Sequence, residues 1–202
     1  AIDVVELALK RFGPPVYVKH QIVHNPHVVK SLENDGVLTV EDVDDIPEKS
    51  IVVFSAHGSP PEDFEKAKYR NLHIIDATCP LVTKVHREAE ILYKNGYEVI
   101  LVGHKDHPEV LGTMGQLPKD SIKLIETIQN AENININEIK KPVAYVTQTT
   151  LSVDDTAAII KNTPPKRIAF TALSSSRFLI IGPNVTVCIN IGITIIIFTI
   201  PI

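Results

Sequence analysis

Residues 72–102 read LHIIDATCPLVTKVHREAEILYKNGYEVILV, and this stretch decides the fold class. A run of β-branched residues, Leu72–Ala77, predicts a strand. Pro80 suits the first position of an amphipathic helix, and Gly96 predicts its end. A second apolar run, Glu98–Val102, predicts the next strand. A strand, a helix and another strand in so short a stretch are typical of an α/β protein.

The same alternation continues on both sides of this stretch. Amphipathic runs predict helices at Ala1–Phe12, Pro26–Asp35 and Pro61–Tyr69, with one more opened by a capping box at Ser152–Asp155. Apolar runs predict strands at Val16–Val23, Val37–Val40, Ser50–Ser55, Ile122–Glu126 and Pro142–Thr147. Strands that alternate with helices at this spacing favour parallel sheets. We therefore expect repeated parallel-sheet α/β units over residues 1–165.

The bulk composition limits the classes of function. The 202 residues are 44% hydrophobic and 22% charged, which are ordinary values for a globular protein. A net charge of −4 provides no basic surface for nucleic acid or for an acidic membrane face. The two cysteines, Cys79 and Cys188, are too few for a disulfide framework and suit a reducing compartment. The N-terminal run lacks the features of a signal peptide.

The end of the sequence differs from the rest. Phe178–Ile202 contains no charged residue and is long enough for a membrane span. However, Gly182 and Pro183 interrupt the run, its bulk is Ile, Val and Thr, and no Trp or Tyr flanks it. We expect residues 166–202 to be an apolar tail unrelated to the preceding fold. A membrane anchor and a buried pair of strands are the alternatives.

Polar residues that can do chemistry follow five of the predicted strands. They are His20 and His24, then His57, then Cys79, then His104, His107 and Glu109, and finally Thr147, Gln148, Thr149 and Thr150. In open α/β sheets, ligands bind at the carboxyl ends of the parallel strands. We therefore expect these five strand ends to form one polar site.

Two of these groups allow more than one interpretation. Cys79 precedes a helix start, where the helix dipole and backbone N–H groups stabilise a thiolate that acts as a nucleophile or a metal ligand. A small buried side chain is the simpler alternative. His104, His107 and Glu109 are spaced like the ligands of a zinc-dependent hydrolase. Alternatively, histidines and threonines bind phosphate, and a carboxylate nearby donates a proton.

Five segments together resemble one enzyme family. They are YVKHQIVHN, FSAHG, DATCPLVTKVH, GHKDHPEVLGTMGQ and VTQTTLSVDDT, which begin at Tyr17, Phe54, Asp76, Gly103 and Val146. All are very similar to segments of the 4-hydroxy-3-methylbut-2-enyl diphosphate reductases and stand in the same order. The resemblance implies three α/β units in a trefoil around an iron–sulfur cluster. This chain would supply the first unit (1–79), without its N-terminal strand and cysteine motif, and the second (80–165).

The resemblance also implies an activity. It is the reductive dehydroxylation of 4-hydroxy-3-methylbut-2-enyl diphosphate to isopentenyl and dimethylallyl diphosphates, the last step of the non-mevalonate (MEP/DOXP) isoprenoid pathway. A [4Fe-4S] cluster would be the cofactor, and a ferredoxin or flavodoxin would donate electrons. The compartment would be a bacterial cytoplasm or a plastid-type stroma.

Family roles transfer to the matching positions of this sequence. Cys79 would be one of three cysteines that hold the cluster. His24, His57 and His107 would contact the substrate, mainly at its diphosphate. Glu109 would deliver the proton that turns the leaving hydroxyl into water, and Thr149 would support this relay and hold substrate.

The sequence departs from the family pattern at both ends. The first cluster cysteine belongs to a Gly-Phe-Cys-Ala-Gly motif upstream of the helix that begins here at Ala1, and the third belongs to the third unit. Cys188 does not match the third cysteine's context. Because one thiolate does not retain a cluster that three normally hold, we expect an incomplete, inactive copy. A non-catalytic fragment and a zinc-dependent hydrolase are the alternatives.

Overall fold

A computed structural model describes residues 1–23, 25–135, 139 and 141–163, together with the backbone of three strands between Arg177 and Phe198. The chain divides into two compact units, Ala1–Thr83 and Lys84–Ile202. The boundary that we predict from the sequence lies close by, at 79/80, and stays a prediction. Each unit has its own parallel sheet, so the α/β fold class is confirmed.

The first unit has four parallel strands in the order β2-β1-β3-β4. Its elements are α1 (Ile2–Phe12), β1 (Val16–Lys19), α2 (Pro26–Asn34), β2 (Val37–Val40), a 3₁₀ turn (Val43–Asp45), β3 (Ile51–Phe54), α3 (Pro61–Tyr69) and β4 (His73–Asp76). Successive β3 residues pack on opposite faces of the sheet, as a strand requires. Val53 joins the core that contains α1 and α2, whereas Val52 and Phe54 join the core that contains α3.

One sequence-based expectation for the first unit is wrong. The first strand ends at Lys19 instead of Val23, because His20 takes a left-handed backbone with φ 61° that a strand cannot contain. The buried residues of α1 are Val5 and Ala8.

The second unit has three parallel strands in the order β6-β5-β7. Its elements are α4 (Pro80–Lys94, which begins before the division between the units), β5 (Glu98–Val102), α5 (Pro108–Met114), β6 (Ile122–Ile125), α6 (Ile128–Glu132), β7 (Val143–Thr147) and α7 (Val153–Lys161). Strand β5 pairs with both neighbours. Its pairing with β6 begins where Val99 lies opposite Ile122, and its pairing with β7 begins where Glu98 lies opposite Val143.

The central strand β5 is buried on both faces. Val99 and Leu101 pack with residues of α4 and α5, and Ile100 and Val102 pack with residues of α6 and α7. All four side chains are fully buried. A continuous apolar run is therefore what this strand needs, as in other parallel sheets that have helices on both faces.

The last part of the chain contains three strands, β8 (Arg177–Gly182), β9 (Val185–Asn190) and β10 (Ile193–Phe198). They form an antiparallel sheet in the order β10-β9-β8. Where the uncharged run would permit a membrane helix, the structure has strands. Within the described part of the chain, no helix is both long and apolar enough to cross a membrane. That this tail is unrelated to the preceding fold stays a prediction.

Candidate active site

In the first unit, Cys79 and the turn that holds His57 meet at the carboxyl edge of the sheet. The two groups follow the neighbouring parallel strands β3 and β4. The backbone N–H of Cys79 donates to the carbonyl oxygen of Ala56 at 3.0 Å. The hydroxyl of the fully buried Ser55 lies 3.3 Å from Nδ1 of His57. Both His57 and Cys79 are half-buried and face the edge where an α/β sheet binds ligands.

Cys79 is a free cysteine directly before the first residue of the 15-residue helix α4. Its carbonyl oxygen accepts from the backbone N–H of Thr83 at 3.0 Å and from the hydroxyl of Thr83 at 3.3 Å. The preceding turn is held by Asp76, whose Oδ1 accepts from the N–H and the hydroxyl of Thr78. The thiol thus lies at the N-terminus of α4.

In the second unit, Glu109 and Thr149 are joined by two hydrogen bonds. Glu109 lies in the first turn of α5 and is 1% exposed. The N–H of Thr149 donates to Oε1 of Glu109 at 2.5 Å, and the Thr149 hydroxyl donates to Oε2 at 3.0 Å. Thr149 follows β7 and Glu109 follows β5, so adjacent parallel strands bring the two residues together. Both carboxylate oxygens are therefore held by one residue.

Burial raises the pKa of Glu109, and the two hydrogen bonds from Thr149 lower it to a smaller extent, so the pKa lies above its usual range. Burial has this effect because it disfavours the charged carboxylate. Glu109 consequently keeps its proton to a higher pH than an exposed glutamate does. A group that must donate a proton near neutral pH needs this property.

The raised pKa has a measurable consequence for stability. The folded state binds the Glu109 proton more tightly than the unfolded state, in which the pKa is about 4.3. The free energy of unfolding therefore loses a contribution as the pH rises through that value, and the loss is complete above the folded pKa. Because Gln does not titrate, we expect Glu109→Gln to gain stability relative to the parent as the pH rises above the unfolded-state pKa. Urea unfolding of both proteins at several pH values measures this; a pH-independent difference contradicts the raised pKa.

His107 is the N-cap of α5, and its Nδ1 accepts from the N–H of Glu109 at 3.2 Å. In a neutral imidazole this places the proton on Nε2, which is then a hydrogen-bond donor. Donors of this kind suit phosphate oxygens. The same helical turn thus positions a donor for an anion, His107, and a carboxyl group that keeps its proton, Glu109.

Gln148 has a role that the sequence does not reveal. Its side chain is buried, and its Oε1 accepts from the backbone N–H of His104 at 3.0 Å. Its Nε2 donates to the Thr150 hydroxyl at 2.6 Å. Gln148 therefore joins the loop after β5 to the turn after β7, which hold Glu109 and Thr149. The sequence predicts Gln148 as a candidate site residue, because it directly follows a strand, but it does not predict these contacts.

Close packing around Gln148 explains why residue 103 is a glycine. A Cβ atom at this position would lie 2.5 Å from Cγ2 of Val110 and 3.3 Å from Oε1 of Gln148. The first distance is too short for any side chain. Gly103 therefore allows the β5–α5 loop to approach both α5 and Gln148.

The predicted site residues occupy two sheet edges. Strands β1, β3 and β4 deliver His20, His57 and Cys79 in the first unit, and the second unit delivers the remaining described residues after β5 and β7. His104 is exposed there, and only its backbone joins the network around Gln148. His24 lies outside the described residues, as does the side chain of Cys188.

The described residues do not form a metal centre. Among them, no three His, Cys, Asp or Glu side chains group so that they could hold a metal ion. The zinc site of His104, His107 and Glu109 is therefore not formed in the described part of the chain. Among the side chains that the structure describes, Cys79 is the one cysteine. These residues alone therefore do not fit a complete [4Fe-4S] site.

The chain has relatives among known proteins. The sequence profile of the LytB protein family matches residues 1–177. The 4-hydroxy-3-methylbut-2-enyl diphosphate reductase of Methylocella silvestris is 53% identical over 162 residues, which cover 80% of this chain and 50% of that protein. A second enzyme of the same name, numbered 2, from Rhodopseudomonas palustris is 56% identical over 161 residues, with coverages of 79% and 50%. The chain thus spans about half the length of the curated relatives that it matches.

A solved structure gives the same result. The E-1-hydroxy-2-methyl-but-2-enyl-4-diphosphate reductase of Plasmodium falciparum superposes with a TM-score of 0.76 at 45% identity, over 80% of this chain and 50% of that one. The profile match over residues 1–177 includes both sheet edges. This chain therefore belongs to the LytB family of 4-hydroxy-3-methylbut-2-enyl diphosphate reductases.

Proposed function

We propose that this chain supplies substrate-binding and proton-donating residues for the reductive dehydroxylation of 4-hydroxy-3-methylbut-2-enyl diphosphate. In the overall reaction, two electrons and two protons replace the hydroxyl group by hydrogen and release water, and the products are isopentenyl and dimethylallyl diphosphates. The observation that carries the proposal is the Glu109–Thr149 pair: a buried carboxyl group with a raised pKa, held at both oxygens beside a histidine donor.

The diphosphate is the part of the substrate that the histidines bind. His107 contributes Nε2–H, because its Nδ1 is used to cap α5. His57 lies at the edge of the first sheet, positioned by Ser55, and His24 follows β1 in the sequence. Imidazole donors form strong hydrogen bonds to the charged phosphate oxygens.

Glu109 gives a proton to the hydroxyl oxygen as the C–O bond breaks, so that water leaves in place of hydroxide. Thr149 orients the carboxyl group through its N–H and its hydroxyl, and the same hydroxyl contacts substrate. Exclusion of water around Glu109, which is 1% exposed, keeps the carboxyl group protonated until the reaction. These roles require binding and proton transfer only.

The [4Fe-4S] cluster that the family resemblance implies does not fit the described residues alone. We assign Cys79 as one ligand of three, and no step of the present mechanism involves the cluster. The proposed electron donor is a ferredoxin or flavodoxin. The proposed compartment is a bacterial cytoplasm or a plastid-type stroma, and the bacterial origin of the relatives supports the first of these. We also propose that the 202-residue chain does not turn over by itself.

A chimera tests the proposed function. Residues 1–163 of this chain replace the matching part of the Methylocella silvestris reductase, which is 53% identical and supplies the rest of the protein. With a chemical reductant, we expect the chimera to convert the substrate to the two diphosphate products at a rate within about tenfold of the host enzyme. A folded chimera that binds its cluster but forms neither product contradicts the proposal.

A further inference from the structure

The turn after β1 has a residue with a left-handed backbone that the proposed function does not use. His20 has a φ of 61°, in a region that few residues other than Gly adopt, although Asn, Asp and His are found there more often than the rest. Its N–H donates to the carbonyl oxygen of Val40 at the end of β2, at 2.9 Å. A residue stays in this conformation only where its surroundings hold it there, and such residues cluster at functional sites.

Both ring nitrogens of His20 have partners. Nδ1 lies 2.6 Å from Oε2 of Glu41, and Nε2 lies 3.0 Å from Nζ of Lys19. A carboxylate accepts only, and an ammonium group donates only. The proton of the ring is therefore on Nδ1, and the unprotonated Nε2 accepts from Lys19. The two neighbours together select one neutral tautomer.

Lys19 extends this network to a second turn. Its side chain is 7% exposed, and its Nζ lies 3.3 Å from Oδ2 of Asp63, which is 13% exposed. Asp63 is in the first turn of α3, directly after the turn at residues 55–60 that holds His57. The chain of contacts Glu41–His20–Lys19–Asp63 therefore runs from the end of β2, through the end of β1, to the start of α3.

We propose that His20 is a positioning residue: as the Nδ1–H tautomer, it locks the turn after β1 to Glu41 and orders Lys19 against Asp63. The network joins the start of the turn after β1, residues 20–23, to the turn at residues 55–60. Because the second turn contains His57, the lock presets the edge of the first sheet for diphosphate. This last consequence rests on the proposed function, whereas the lock itself does not.

Two measurements on the full chain test the lock without any ligand. Nitrogen-15 NMR of the His20 ring is expected to show a protonated Nδ1 and an unprotonated Nε2. In hydrogen exchange, the amide hydrogens of both turns are expected to exchange about tenfold faster in His20→Asn than in the parent. The reason is that hydrogen bonds to charged groups are lost. Asn tolerates the left-handed backbone, so the substitution removes the ring without adding strain.

Matched variants make the exchange result specific. His27→Asn is the same substitution on the exposed side of α2, and we expect parental exchange in both turns. Glu41→Gln keeps an acceptor for Nδ1–H and should retain the protection, whereas Glu41→Ala should lose it as His20→Asn does. A protonated Nε2 in the parent, or parental protection in both His20→Asn and Glu41→Ala, overturns the proposal.

Calorimetric titration with inorganic diphosphate separates the lock from the proposed function. If the parent binds, we expect about tenfold weaker binding for His20→Asn and unchanged binding for His27→Asn. Equal binding by the parent and His20→Asn overturns the presetting role. If the parent itself does not bind diphosphate, the proposed substrate contact is wrong. The NMR assignment of the His20 tautomer and the hydrogen-exchange rates then still decide whether His20 holds the turn after β1.

Discussion

Glu109→Gln in the chimera is expected to slow turnover by about 10²–10⁴-fold, the usual cost of removing a general acid. The amide keeps the shape of the side chain and can still accept from the N–H and hydroxyl of Thr149, but it has no proton to give to the departing hydroxyl. Proton donation stabilises mainly the transition state, so substrate affinity should change much less than turnover. The measurement is turnover with a chemical reductant at matched cluster content.

Glu126→Gln is the matched control for this prediction. Glu126 also follows a strand of the second sheet, and it accepts from the N–H of Lys105 at 3.0 Å, but it does not contact Thr149. We expect its turnover to equal that of the parent. If Glu109 only stabilised the N-terminus of α5, a role worth about 0.3–1 kcal/mol of stability, Glu109→Gln would be equally active. Turnover close to the parent's would remove Glu109 from the catalytic residues.

The second large effect concerns the cluster. After anaerobic reconstitution with iron and sulfide, the 202-residue chain is expected to retain almost no visible iron–sulfur absorbance, because Cys79 is the one residue that we assign as a ligand. The chimera, with the host's cysteines, should retain about one cluster per chain. Cys79→Ala in the chimera should lose most of that absorbance, since two thiolates remain where three are needed.

Thr83→Ala is a suitable control, because it removes the hydroxyl contact to the Cys79 carbonyl and leaves the thiol intact. Its cluster content should match that of the parent chimera. A stoichiometric [4Fe-4S] signal from the 202-residue chain would show that our ligand assignment is wrong. Stoichiometric zinc in the same preparation would favour the hydrolase that the spacing of His104, His107 and Glu109 first allowed.

Much of the fold could be predicted because local patterns determine it. Pro80, Gly96 and the apolar run Glu98–Val102 gave an element order that the structure confirms. The short helices α5 and α6 are absent from the predicted elements, because seven and five residues show too little periodicity. Nor does any local pattern show that β4 and β5, the strands on either side of α4, belong to different sheets.

The candidate site was predictable as a list of residues but not as a set of contacts. Strand ends indicated His57, Cys79, Glu109 and Thr149, because parallel strands present their carboxyl ends at one edge. The Glu109–Thr149 pair joins residues 40 positions apart, and the contact between Gln148 and His104 joins residues 44 apart. Such partners depend on strand order, which tertiary packing decides. The left-handed backbone of His20 had no sequence signal.

The position of β5 at the centre of its sheet also affects how the chain is made. Its partner β7 begins at Val143, opposite Glu98, so the ribosome must add 45 residues (143 − 98) before the pair can form. At roughly 5–20 residues per second, this takes about 2–9 seconds. During that interval Ile100 and Val102 lack the cover of α7, and the nascent chain exposes one of its most apolar strands. We therefore expect β5 to be a site at which chaperones bind the nascent chain until β7 has been made.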